Sequence, residues 1–293
     1  MPPAVSTDER SATPAVLALD IGGTKLAAAV VGLDGSIVVS DRVPTPHRDP
    51  WSAVAGLVSR VIAASDGVEI RALGAGCGGP MSRGGETVSP LHIPAWRDFP
   101  LKSSLAELVG LPVVVDNDAK ALALGEGWLG VTRDSRNFMA VVIGTGVGAG
   151  LVLDGRLVHG DSGNAGHIGH VIVEPGGRSC RCGARGCLEA YLSGVAVEAY
   201  AGQSARHAGP MVVEDAARRF GRAVASVAAL TSLDSIVVGG SVALGWGAPF
   251  FEAARREFAE RSRLGFTQHV AIEPAGARSG LIGAAALARL ALE

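Results

Sequence analysis

Three of the chain's four cysteines, Cys180, Cys182 and Cys187, fall within eight residues, and His170 stands ten residues before the first. Three thiolates and one imidazole make the closed donor set that a structural zinc ion uses, with no position left for water. Glycines at 176, 177, 183 and 186 let the backbone fold back tightly enough to gather the sulfurs. Buried free thiols or a disulfide are the alternatives. A Cys-x-Cys pair seldom makes a comfortable disulfide, and no secretion signal points to an oxidising compartment. Zinc is the reading these residues favour. Glu189 follows the last cysteine by two positions. A metal here would therefore clamp a loop that offers a carboxylate and an imidazole edge to a neighbouring cleft.

A second chemical centre is Asp116-Asn117-Asp118, where an apolar strand from Pro112 runs into a helix from Ala119 to about Leu129. In open α/β sheets ligands sit beyond the carboxyl ends of strands, where Asn117 and Asp118 fall. Either residue also suits a plain helix cap. A third centre is Asp20-Ile-Gly-Gly-Thr-Lys25. Apolar strands flank it, so Gly22, Gly23 and Thr24 form a hairpin tip. The Walker A spacing is absent, and no helix follows the glycines as a dinucleotide fingerprint requires. A Gly-Gly-Thr tip can still cradle phosphate through backbone N–H groups, with Lys25 beside it. Asp20 next to phosphate would call for Mg²⁺. An ordinary glycine hairpin is the plain alternative.

The elements that must position these centres read as a duplication. Strands Ala15–Ile21, Lys25–Val31 and Ser36–Val43 are joined by a glycine turn and by Asp34-Gly35. Asn137–Val142 is again a strand, followed by Gly144-Thr145-Gly146, strand Leu151–Leu153 and Asp154-Gly155. The two Asp-Gly turns lie 120 positions apart, which an internal repeat explains. Helices are expected over 51–64, 101–109, 195–200, 213–230, 250–261 and 280–292. Strands are expected over 70–76 and 234–239, the latter ending on Gly239-Gly240. Cys77 lies far from the other cysteines in sequence and reads as a packed thiol.

The pattern His-x9-Cys-x-Cys-Gly-x2-Gly-Cys-Leu-Glu-x3-Ser-Gly, with NDAKALALGE at 117–126 and GLIGAAALA near the end, resembles the ROK family of bacterial sugar kinases and sugar-sensing repressors. The resemblance implies an α/β fold of two duplicated ribonuclease-H-like lobes with a nucleotide and sugar cleft between them, as in actin, hexokinase and Hsp70. Residues 14–118 with a returning helix 280–293 would form one lobe. Residues 119–279, with a zinc loop at 166–190, would form the other, and 1–13 a disordered tail. DIGGT and GTGVG resemble the two phosphate motifs, and Gly239-Gly240 the adenosine motif.

The implied activity is ATP-dependent phosphorylation of a hexose 6-hydroxyl, glucose first. The implied cofactors are ATP, Mg²⁺ and structural Zn²⁺. Asp118 would be the general base, and Asn117, Asp118, His170 and Glu189 would hold the sugar. Two positions depart from the pattern. His167 stands where the family has a glutamate that reads the sugar around C1 and C2, and Lys120 replaces an asparagine. An imidazole cannot hold an ammonium as a carboxylate does. Kinases for an amino sugar or an N-acetylated hexosamine, such as kanosamine or N-acetylmannosamine, stay open. So does a sensing protein, although a helix-turn-helix of several dozen residues does not fit in the fourteen before the first strand.

The chain has 293 residues and a formal charge of −2, enough for two modest cores. Neither nucleic acid nor an anionic membrane is indicated as a partner. No apolar run reaches the ~18 residues of a membrane span. A cytoplasmic homodimer or higher homo-oligomer is expected.

Overall fold

Alternation along one central strand explains the first half of the molecule. The computed structural model describes residues 13–276 and 278–293, so the tail expected over 1–13 lies outside the described residues except for Thr13. That residue opens strand β1 (Thr13–Ile21) and pairs with Val68. Ala15, Leu17, Leu19 and Ile21 point into one core, while Val16 and Ala18 point into another. Side chains alternate across a strand, so β1 is covered on both faces. It pairs antiparallel with β2 (Lys25–Gly32), which pairs antiparallel with β3 (Ile37–Pro44). Helix α1 (Pro50–Ala63) then leads to β4 (Val68–Cys77), parallel to β1. Helix α2 (Leu101–Val109) leads to β5 (Val113–Asn117), parallel to β4. Helix α3 (Asp118–Leu129) follows at once.

The second half repeats this plan. Strand β6 (Phe138–Ile143) pairs antiparallel with β7 (Val147–Leu153), and β7 with β8 (Arg156–Leu157). A long segment follows, with α4 (Glu189–Leu192), α5 (Gly194–Ala201) and α6 (Pro210–Thr231). Strand β9 (Ser235–Gly239) is parallel to β6. Helices α7 (Ser241–Trp246) and α8 (Ala248–Arg261) lead to β10 (Ala271–Pro274), parallel to β9, and α9 (Ser279–Arg289) closes the chain. The sheet orders β3-β2-β1-β4-β5 and β8-β7-β6-β9-β10 are the same pattern twice. The two halves have the same strand directions as well as the same order. The fold is α/β with two duplicated sheets.

The last helix of each half crosses to the other sheet. Helix α3 lays Leu122 and Ala123 on Phe138, Ala140 and Val152 of the second sheet. Helix α9 lays Ala284, Ala285 and Ala288 on Val16, Ala18, Ala29 and Ala72 of the first. Alanines on both sides let helix and sheet approach closely. Where α3 meets α9, a Cβ added to Gly125 would lie 2.8 Å from the Cα of Gly283, so the helices cross backbone to backbone.

Candidate active site

Both glycine turns and the end of β5 open onto one cleft of about 750 Å³. Asp20 lies near the end of β1, beside the first glycine turn, where the Gly22 N–H donates to the Lys25 carbonyl at 2.9 Å. The second turn closes by the Gly144 N–H donating to the Gly146 carbonyl at 3.0 Å. The tips nearly touch: a Cβ on Gly23 would lie 3.4 Å from the Thr145 methyl. Of the residues singled out from sequence, Asp20, Gly22, Gly23, Thr24, Lys25, Asn117, Asp118, Gly144, Thr145, Gly146, His167, His170, Glu189 and Gly240 line this cleft. Gly239 does not. It sits inside β9, where an added Cβ would meet Leu122 at 3.1 Å and Ala275 at 3.3 Å, and only Gly240 beyond it reaches the opening.

At the head of α3 the capping falls mainly to Asn117, whose Oδ1 accepts from the Ala119 N–H at 3.0 Å. Asp118 is the first helical residue and shares that donor at 2.9 Å. Burial, reinforced by the nearby charge of Asp20, pushes the Asp118 carboxyl up to about 6. Burial also raises Asp20, and Lys25 opposes this. Two buried carboxyls, of which Asp20 raises the pKa of Asp118, are a setting that a divalent cation relieves, and hard oxygen donors suit Mg²⁺. Cys77 is buried, and burial beside Asp118 and Asp20 drives its thiol strongly upward, so it is an inert packed group.

On the opposite wall the three cysteines and His170 converge. Their ligand atoms all lie within 4.8 Å of one another. The His170 Nδ1 is 3.8 Å from the Cys180 Sγ, and the Cys182 and Cys187 sulfurs are 3.6 Å apart. A tetrahedron on ~2.3 Å zinc–sulfur bonds has edges of about 3.8 Å, so the spacing fits a metal held by all four. His170 belongs to this cluster and to the cleft wall at once. Glu189 is buried and opens α4, and its Oε2 accepts from the Val147 N–H at 2.9 Å. The cysteine-rich loop is thereby fastened to the second glycine turn.

Among the cleft residues not singled out from sequence are two with side chains able to bond a ligand, His92 and Arg181. His92 belongs to the loop between β4 and α2. Its Nε2 lies 3.0 Å from the position a Gly146 Cβ would take, and its own Cβ 2.6 Å from that of Gly23. It therefore reaches between the two turns. Burial and the Arg181 cation lower its pKa, while Glu189 raises it. Arg181 itself faces the cleft from between two of the cysteines. His92 carried no periodic or spacing signal, while Arg181 could have been found from its place inside the Cys-x-Cys pair.

Duplicated sheets of this order, with a glycine turn from each half facing a shared cleft, define the actin/hexokinase/Hsp70 class of fold. Within it, the chain belongs to the ROK family, whose model matches residues 16–291. It is 42% identical over 189 residues to a glucokinase of Streptomyces coelicolor, a match covering 64% of this chain and 59% of that protein's length. It is 36% identical over 295 residues to an N-acetylmannosamine kinase of Escherichia fergusonii, covering 93% of this chain and 98% of the relative. Among solved structures it resembles a ROK family glucokinase from Streptomyces griseus in complex with glucose and AMPPNP. That similarity has a TM-score of 0.82 and 30% identity, over 94% of this chain and 99% of that one. No helix among the described residues is long and apolar enough to cross a membrane.

Proposed function

We propose that the protein transfers the γ-phosphoryl group of ATP to the 6-hydroxyl of a hexose, with glucose as the first candidate. The observation that carries this reading is the placement of Asp118. A carboxyl whose pKa is pushed up to about 6 stands at a strand end between two glycine turns. Phosphoryl transfer asks a protein mainly for positioning and charge neutralisation. The turns at 22–24 and 144–146 supply backbone N–H groups for the phosphates, with Lys25 at the mouth. Gly240 gives the nucleoside a flat approach. Asn117, His170 and Glu189 hold the sugar hydroxyls, with His167 beside them, and Asp118 accepts the proton of the attacking hydroxyl. At neutral pH it is ionised, yet more basic than an ordinary carboxylate, as a general base should be. Asp20 would hold Mg²⁺, which when bound offsets the phosphate charge.

His170, Cys180, Cys182 and Cys187 would hold Zn²⁺ in a structural role, fixing the ring of His170 and the loop that leads to Glu189. On this reading one lobe is residues 14–118 with 280–293 returning to it, and the other is residues 119–279. A cytoplasmic homodimer or higher homo-oligomer is part of the same proposal. The second substrate reading is N-acetylmannosamine, favoured by the end-to-end match to a kinase of that name. An ADP-release assay over glucose, mannose, glucosamine and N-acetylmannosamine decides between them. No ADP release above background with any of the four, nor with kanosamine, would reject the kinase reading in favour of a sensing protein.

A further inference from the structure

Lys120 is a buried cation that the proposed reaction does not use. It stands in the first turn of α3 and is 1% exposed. An ammonium is unfavourable there twice over, through desolvation and through the positive end of the helix dipole. Helix stability therefore does not account for it. Its Nζ donates to the Gly163 carbonyl at 2.7 Å and lies 3.5 Å from the Asp116 Oδ1. The other Asp116 oxygen is 3.3 Å from the His159 Nδ1. An ammonium has three protons, and these partners take two. A cavity of about 10 Å³, room for one water, adjoins Lys120 and is lined also by Gly79, Asn117, Gly166 and His167.

That cavity joins Lys120 to the sugar end of the cleft. A Cβ placed on Gly79 would lie 3.7 Å from both the His167 Cε1 and the Asn117 Nδ2, so these two side chains converge on one point. The loop that brings His167 there is tied down at two places. Lys120 holds the Gly163 carbonyl, four residues before His167. Asn164 reaches across to the first half, donating from Nδ2 to the Met81 carbonyl at 3.1 Å and accepting from the Met81 N–H at 3.4 Å.

We propose that Lys120 is a specificity-determining positioning residue, whose ammonium backs His167 and sets this end of the cleft against sugars carrying a free amine there. The ligand class it admits is a neutral hexose or an N-acylated hexosamine. The inference rests on the sugar-kinase reading. A neutral imidazole accepts one hydrogen bond and donates one, which suits a hydroxyl or an acetamido group. A protonated amine would find no carboxylate at position 167 and a fixed cation behind it. Asp116 offsets part of the Lys120 charge, so the effect is a bias among sugars rather than an absolute bar.

The test compares wild type with Lys120→Met and Lys120→Gln on glucose, N-acetylmannosamine, glucosamine and 3-amino-3-deoxyglucose. In Lys120→Met, kcat/KM for the better amino sugar relative to glucose should rise about tenfold, mostly through KM. Lys120→Gln keeps a donor for Gly163 and should show the same shift in ratio with a smaller loss on glucose. A uniform fall for all four sugars with ratios unchanged would reduce Lys120 to a loop tether and overturn the proposal. A measurement on wild type alone guards against variants that fail to fold. Its kcat/KM for an amino sugar relative to glucose should climb as pH rises through the amine's own titration, and a flat ratio would count against it. Should wild type phosphorylate none of these sugars, the kinase reading fails instead. Equilibrium binding of the same four sugars to wild type and Lys120→Met then still reads the ratio.

Discussion

The turn between β1 and β2 carries charge at both ends, Asp20 and Lys25, whereas its counterpart between β6 and β7 is Gly144-Thr145-Gly146 with none. The helix after β5 begins on Asp118, and the helix after β10 begins on Ser279 and Gly280. Gly280 packs directly against Asp20, where an added Cβ would lie 2.6 Å from its Oδ2. The connection from β3 to β4 is a single helix, while that from β8 to β9 holds the cysteine cluster, Glu189 and three helices. One backbone plan thus serves two tasks. The first half keeps the carboxylates suited to moving a proton and neutralising charge. The second contributes uncharged turns and an inserted loop suited to recognising the ligand.

The division is broken most directly by Asp118→Asn, which should lower kcat by about 10²–10⁴-fold while sugar binding survives. Near wild-type turnover would reduce Asp118 to a helix residue. The same variant should be more stable than wild type at neutral pH. A raised pKa means that the folded state holds the proton more tightly than the unfolded chain does. The cost of ionised Asp118 therefore grows as pH climbs from about 4 through about 6, and is full above that. Melting curves should show the variant ahead at pH 7 and the gap closing toward about pH 4.

Damage to the inserted loop should act on binding before chemistry. The purified protein should carry about one zinc per chain, and Cys182→Ser should release it and weaken sugar affinity by about 10–100-fold. Undiminished affinity in a metal-free sample would separate the cluster from the site. A smaller effect concerns the two carboxylates. The acid limb of kcat/KM should sit near pH 6, with activity lost as Asp118 takes up its proton on the acid side. Asp20→Asn removes the like charge and should move that limb to lower pH, and a limb that stays put would deny their coupling. The last effect expected is one of selectivity, at His167. His167→Glu should change ratios among C2-variant hexoses by about 5- to 100-fold with little change in kcat on the best sugar. Flat ratios would mean that the imidazole serves only the turn.

Much of this was readable in the amino-acid sequence because the signals were periodic or spaced. The Asp-Gly turns 120 positions apart anticipated the repeated sheet order, and the cysteine spacing anticipated a cluster that the fold does assemble. Short pieces were lost. Helices α4 and α7 have four and six residues and β10 has four, too few to show a 3.6- or 2-residue rhythm. Gly239 and Gly240 look alike as a strand end in sequence, and the fold brings only Gly240 to the cleft. His92 and the Gly163 partner of Lys120 were invisible because they depend on segments distant in sequence meeting in the fold.

The bare crossing of α3 and α9 has a mechanical consequence. Each helix belongs by connection to one half and by packing to the other, so any change in the angle between the sheets must pass through their contact. Interlocked side chains would make such a turn a repacking event; backbone against backbone lets it proceed as a pivot without side chains to repack there. The cleft can then narrow around a sugar and expel water before the phosphoryl group leaves, at little cost at the fulcrum. A wedge there should jam it. Gly125→Val should leave the protein with a scattering envelope that no longer contracts when sugar and nucleotide are added, and an unchanged contraction would show that the pivot lies elsewhere.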